Sequence, residues 1–192
     1  AILLMTYDYY GKTNSLSSSD LLSNEGYQEW FMNYENAVST FEYSTGPLME
    51  KMITYGPSSY DVAAVYEATA IENIENAVGK YGELRVFYPP ATVWSDHPFC
   101  VLNADWVDSG TAAAAQQFID FLSQEESVRT ALVEHGFRPT EGSIPLDVPG
   151  SPFVNYSGNG FSADISQIPE VEIPEGNVLN TLLEFWSRSI AR

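Results

Sequence analysis

One cysteine, two histidines and eight lysines plus arginines among 192 residues leave little from which several common kinds of site are built. A lone Cys100 has no internal disulfide partner, and it joins the two histidines at no metal-ligand spacing. The eight cations stand against 26 carboxylates, a formal charge of −18. Such a balance repels phosphate backbones and anionic bilayers and argues against a nucleic-acid partner. No glycine-rich run ends in the lysine and hydroxyl pair of a phosphate loop, and no EF-hand pattern occurs, so neither a cofactor nor a metal is expected. Long apolar runs are missing too. The opening Ala1 to Met5 falls far short of the ~20 residues that cross a bilayer. It also has no basic segment ahead of it, so it reads as neither a membrane span nor a signal peptide, and a start in mid-pattern reads as a piece of a longer polypeptide.

What is present suffices for a folded protein: 44% of residues are hydrophobic and 14% aromatic. For this mass, surface scaling lets roughly 70% of the unfolded chain's area be buried, enough for one sizeable core or two small lobes. Residues 1–43 read as helical. Leu3, Leu4 and Tyr7 share one face, and Leu22, Tyr27, Trp30, Phe31, Tyr34, Val38 and Phe41 recur at helical spacing after a polar break. A turn at Tyr43-Ser44-Thr45-Gly46-Pro47 opens a short helix through Met49 and Ile53, stopped near Gly56-Pro57.

Three compact apolar runs, Asp61 to Tyr66, Leu84 to Tyr88 and Phe99 to Leu102, read as strands, and a helix from Ala68 to Val78 lies between the first two. That alternation predicts an α/β fold. Further on, Ser109 or Thr111 is expected to cap a helix from Ala112 to Leu122 that buries Phe118, Phe121 and Leu122. Ser123 to Glu126 has capping-box spacing for a second helix ending at Gly136. Residues 140–175, rich in proline and glycine, read as a long ordered loop, and Val178, Leu179, Leu182, Leu183, Trp186 and Ile190 mark a closing amphipathic helix.

Candidate chemistry is sparse. Ser95-Asp96-His97 sets three triad residue types side by side, but adjacent side chains diverge, and the run reads as a polar turn. His135 falls in the last turn of a predicted helix, where a cation complements the negative end of the dipole, and Cys100 reads as a small core residue. Two features suit a ligand. Ser44, Thr45 and Gly46 place two hydroxyls beside unpaired amides at a helix start, which serve equally as an ordinary cap. Tyr66 and Glu67 follow a predicted strand, at the end where open α/β sheets gather ligands. Tyr66 also fits an edge-of-core aromatic, and Glu67 a dipole-favoured first turn.

Taken in order, several segments resemble a known family. They are Tyr43-Ser44-Thr45-Gly46-Pro47, Gly56-Pro57-Ser58-Ser59-Tyr60-Asp61, Val65-Tyr66-Glu67, residues 87–94, Asp96-His97-Pro98, residues 115–123 and Gly136-Phe137-Arg138-Pro139. Together they resemble the extracellular solute-binding domains of type II periplasmic-binding-protein fold, more closely the group found upstream of a von Willebrand factor type A (VWA) module.

The resemblance implies a lobe with a mixed sheet flanked by helices. Residues 1–98 would form the second, ligand-cleft lobe. Residues 99–192 would supply the return strand, helices, loop and closing helix that pack on or toward a first lobe lying elsewhere in the same protein. It further implies a non-enzymatic, extracytoplasmic domain that holds a small polar solute for an ABC-type uptake system, with a membrane permease or a VWA domain as further partner. Ser44, Thr45, Tyr66 and Glu67 would be the ligand contacts. Glu67 departs from an oxyanion pocket, because an ionised carboxylate repels a bound anion. The alternatives are a cell-surface interaction scaffold with no transport role and a hydrolase built on Ser95, Asp96 and His97.

Overall fold

The computed structural model describes residues 1–140 and 144–190. In chain order its helices are α1 (Ile2–Tyr10), α2 (Ser18–Ser23), α3 (Glu25–Ala37), α4 (Thr45–Tyr55), α5 (Glu67–Asn73), α6 (Ser109–Gln124), α7 (Glu126–Glu134), α8 (Pro152–Asn155) and α9 (Gly176–Ile190). Short 3₁₀ turns follow α4, α5 and α8. The expected α/β lobe with a mixed sheet is not what forms. The chain is 53% helical with 1% strand, and among the described residues the only β pairing is an isolated bridge between Thr92 and Glu170.

The three predicted strands show why. Leu84 to Tyr88 does alternate, with Leu84 and Val86 turned toward the core and Phe87 toward solvent. Its partner is a loop, however: the Val86 amide donates to the Asn159 carbonyl at 2.7 Å, and the Asn159 side chain donates to the Leu84 carbonyl at 2.9 Å. Gly160 permits this approach, since at φ +105° a Cβ there would run into the Val86 carbonyl. Asp61 to Tyr66 leaves Val62 exposed, and Phe99 to Leu102 is mostly exposed, with Cys100 at the surface rather than in a core. β-propensity describes side chains that fit a pleated surface. With no neighbouring strand to take up their amides and carbonyls, the same residues stay extended without making a sheet.

Two units are distinguished, each assembled from non-contiguous segments. The first comprises Ala1–Tyr43, Tyr88–Trp94 and Ser166–Arg192. Its core joins Tyr7, Leu16, Leu21, Tyr27 and Phe31 to Val171, Val178 and Leu182 of the C-terminal region, with Phe185 and Trp186 packed alongside. The amphipathic readings of α1, α3 and α9 hold at these positions, whereas Leu22, Tyr34, Phe41 and Leu183 lie exposed; the side chain of Ile190 lies outside the described residues. Polar groups in this core are paired. The Thr6 and Tyr27 hydroxyls meet at 3.0 Å, and the Tyr7 hydroxyl donates to the Glu172 carbonyl at 3.0 Å.

The second unit comprises Ser44–Phe87 and Ser95–Ile165. One cluster gathers Ala70, Ile71, Ile74, Val133, Phe153 and Phe161, and another gathers Met49, Ile53 and Ala77. The expected loop of residues 140–175 contributes buried Phe153 and Phe161 to this unit and Val171 to the first, and it includes α8; residues 141–143 of it lie outside the described residues. The predicted end of α7 is observed. Gly136, at φ +81°, donates to the Val133 carbonyl while Phe137 donates to that of Leu132, the paired bonds of a Schellman cap. The division at residue 98 concerned where a first lobe would dock, and units defined within this chain do not decide it.

Candidate functional site

The start of α4 is open. Ser44 is its N-cap in extended conformation (φ −151°, ψ 167°), yet its hydroxyl makes no capping bond. Pro47 explains this in part: at the third helical position it has no N–H to offer, and that amide is one of the two an N-cap side chain ordinarily accepts from. The amides of Thr45 and Gly46 precede the first intrahelical bond, which runs from Leu48 to the Ser44 carbonyl at 3.3 Å. A Cβ placed on Gly46 would meet nothing within 4 Å, so there is room beside this glycine, while Thr45 and Gly46 are partly buried.

The start of α5 lies beside it. The Thr45 and Thr69 hydroxyls are 3.3 Å apart, joining the first turns of α4 and α5. Tyr66 caps α5 and is 59% exposed. The sequence-predicted Ser44, Thr45 and Tyr66 thus fall on neighbouring helix starts of one unit.

Glu67 is placed differently. Both its carboxylate oxygens accept from Arg138, Oε2 from Nε at 2.7 Å and Oε1 from Nη2 at 2.8 Å. The pair is largely buried, with side chains 19% and 10% exposed. Arg138 also donates to the carbonyls of Ser162 at 2.5 Å and Ala163 at 2.9 Å, and its guanidinium lies over the Phe153 ring at 4.5 Å. A bidentate pair of this kind fixes α5 to the chain around residues 162 and 163. It also balances the Glu67 charge, which weakens the repulsion that the bare sequence predicted against an anionic solute.

Ser95, Asp96 and His97 are all exposed, and the structure shows no hydrogen bond joining them. The His97 ring instead packs edge-on against Phe137, with centroids 5.6 Å apart. His135 is the C-cap residue of α7, and its Nδ1 lies 3.2 Å from Glu72. Among the described residues no group of three or more His, Cys, Asp or Glu side chains is arranged to hold a metal ion, and no helix is long and apolar enough to cross a membrane.

Sequence reasoning did not find the open cavity of ≈500 Å³ in the second unit, lined by Ile71, Glu72, Glu75, Glu134, His135 and Tyr156 among others. There the Tyr156 hydroxyl donates to Glu75 at 2.5 Å, and that bond to a carboxylate raises the tyrosine pKa above its ordinary value. The only sequence signal was the spacing of Glu72 and Glu75; Tyr156 comes from the segment read as a loop. Comparison of the chain with family models, with curated proteins and with solved structures finds no match in any of the three.

Proposed function

We propose that this chain is a non-enzymatic solute-binding module that holds a small polar ligand at the start of α4. The observation that carries the reading is the Thr45–Thr69 hydroxyl contact, which sets the open first turn of α4 beside the helix start capped by the exposed Tyr66. Two amides that precede the first intrahelical bond and the Ser44 and Thr45 hydroxyls suit a ligand oxygen, and the tyrosine ring offers an apolar surface edged by a donor. The motif order that resembles solute-binding domains supports the same assignment, with an ABC-type uptake system as its setting. Glu67 serves this site as a positioning residue: through Arg138 it holds the helix that presents Tyr66.

The reading is tested by calorimetry of the chain against a panel of amino acids, sugars, short peptides and oxyanions. A member of the panel binds, and Thr45→Ala combined with Tyr66→Ala lowers its affinity about tenfold or more while circular dichroism stays unchanged. A panel without a binder, or an affinity untouched by the double substitution, overturns it.

A further inference from the structure

Helix α6 has no buried residue anywhere along its 16 positions. Its Ala112, Ala115, Ile119 and Leu122 recur at helical spacing and are half-covered, so one face does meet the rest of its unit. A second apolar stripe, Ala114, Phe118 and Phe121, recurs at steps of four and three and is exposed, with Phe118 and Phe121 at 57% and 52%. Just ahead of the helix, Trp106 is 74% exposed. A helix buried on one face ordinarily carries polar residues on the other. Here aromatic rings stand where Lys, Gln or Glu would be expected, in a chain with ample polar residues to spare.

Along the sequence this stripe is flanked mainly by anions, Arg129 on α7 being the nearest lysine or arginine. From Val86 to Val128 the sequence has no lysine or arginine, while Asp96, Asp105, Asp108, Asp120, Glu125 and Glu126 all lie within it. Asp108 caps α6 by accepting from the Thr111 amide at 2.8 Å, and Glu125 and Glu126 follow its C-terminus, so carboxylates stand at both ends of the stripe. A helix ridge about 10 Å long, bounded by anions, matches a ridge of aliphatic residues flanked by cations.

We propose that the exposed face of α6, centred on Phe118 and Phe121, docks a basic amphipathic helix of a protein partner. Other occupants fit less well. A second copy would bring −18 against −18. A bilayer with anionic lipid repels the same carboxylates. An added strand needs a sheet edge, and the described residues contain no sheet. The proposal is independent of the α4 site and uses none of its residues.

Fluorescence anisotropy with a labelled 18-residue Leu/Lys amphipathic helix tests it, a Leu/Glu helix of the same pattern being the control. The Leu/Lys peptide binds and the Leu/Glu peptide does not. Phe118→Ser with Phe121→Ser weakens binding about tenfold or more, with helical content unchanged because neither ring is in a core. Glu125→Gln with Glu126→Gln, which leaves the rings in place, weakens it about threefold and flattens its salt dependence. Equal binding of both peptides, or a wild-type affinity in the phenylalanine variant, overturns the proposal. So does concentration-dependent dimerisation in sedimentation that the phenylalanine variant abolishes, since a second copy then fills the face.

Discussion

A carboxyl group kept from water carries its own pH dependence, and Glu35 is such a group: it is 5% exposed and accepts the Trp186 indole N–H at 3.0 Å. Burial pushes its pKa above the ordinary glutamate value, against the opposing pull of that hydrogen bond. The folded state therefore keeps the proton to higher pH than the unfolded chain does. The resulting stability is fully present below the ordinary glutamate pKa and is lost as pH rises through the folded one. Glu35→Gln keeps the indole's acceptor and removes the charge. In urea titrations the variant gains on the wild type as pH rises above the ordinary glutamate pKa; a gap that does not change with pH means the buried charge costs nothing. Arg138 poses the opposite case, a cation that balances a largely buried anion. Arg138→Ala removes the bidentate cation from the largely buried Glu67 carboxylate and destabilises the second unit by about 3 kcal/mol. Arg138→Lys recovers only part of this, because an ammonium cannot span both carboxylate oxygens and two carbonyls at once. Equal stability of the alanine variant, read from the same titrations, would remove the pair from the framework of the α4 site.

Whether a spacing becomes a structure depends on what its atoms find, and the two capping patterns in this chain show it. Ser123 to Glu126 reads as a capping box, yet the Ser123 hydroxyl bonds back to the carbonyls of Ile119 and Asp120, inside the helix it was expected to follow. Glu125 takes the cap position of α7 without a side-chain bond, and the N-cap of α6 is Asp108 rather than Ser109 or Thr111. The complete box lies at Ser17 and Asp20: the Ser17 amide donates to Oδ2 at 2.9 Å and the Asp20 amide to the Ser17 hydroxyl at 3.3 Å. Ser17→Ala therefore costs about 1 kcal/mol and Ser123→Ala almost nothing; equal effects in thermal melts would contradict the assignment. Gly136 is a sharper constraint. A Cβ there would lie 3.0 Å from the Ala68 Cα and 2.8 Å from Ile71 Cδ1, at φ +81°, so Gly136→Ala loses about 2 kcal/mol. That glycine was legible because it ends a helix, and α1, α3, α4 and α9 were legible from their 3.6-residue periodicity. The strands were misread because apolar runs of four to six residues suggest extended backbone but not the partner that makes a sheet. Of the predicted contacts, Ser44, Thr45 and Tyr66 are gathered at neighbouring helix starts. The pairing of Glu67 with Arg138, 71 positions away, had no local signature.

At the scale of the whole chain, 26 carboxylates and eight cations make self-repulsion a standing cost of the folded state. Four lysine or arginine ion pairs are seen among the described residues, and two of them have side chains half-exposed or more on both partners: Arg85 with Glu83 and Arg188 with Glu184. Exposed pairs of this kind contribute about 1 kcal/mol or less each, and salt weakens them. Salt weakens the repulsion among the unpaired carboxylates over the same distance, about 10 Å at 0.1 M. With more than three acids for each base, repulsion is the larger of the two effects. The melting temperature therefore rises by a few degrees between about 10 mM and 0.5 M sodium chloride, where a chain of balanced charge would show little change. Replacing Asp96 and Asp105 by their amides, both in the stretch from Val86 to Val128 that has no lysine or arginine, raises the low-salt melting temperature and flattens its salt dependence. A melting temperature that falls with salt, or amide variants that melt lower, would mean that the few local ion pairs outweigh the net charge.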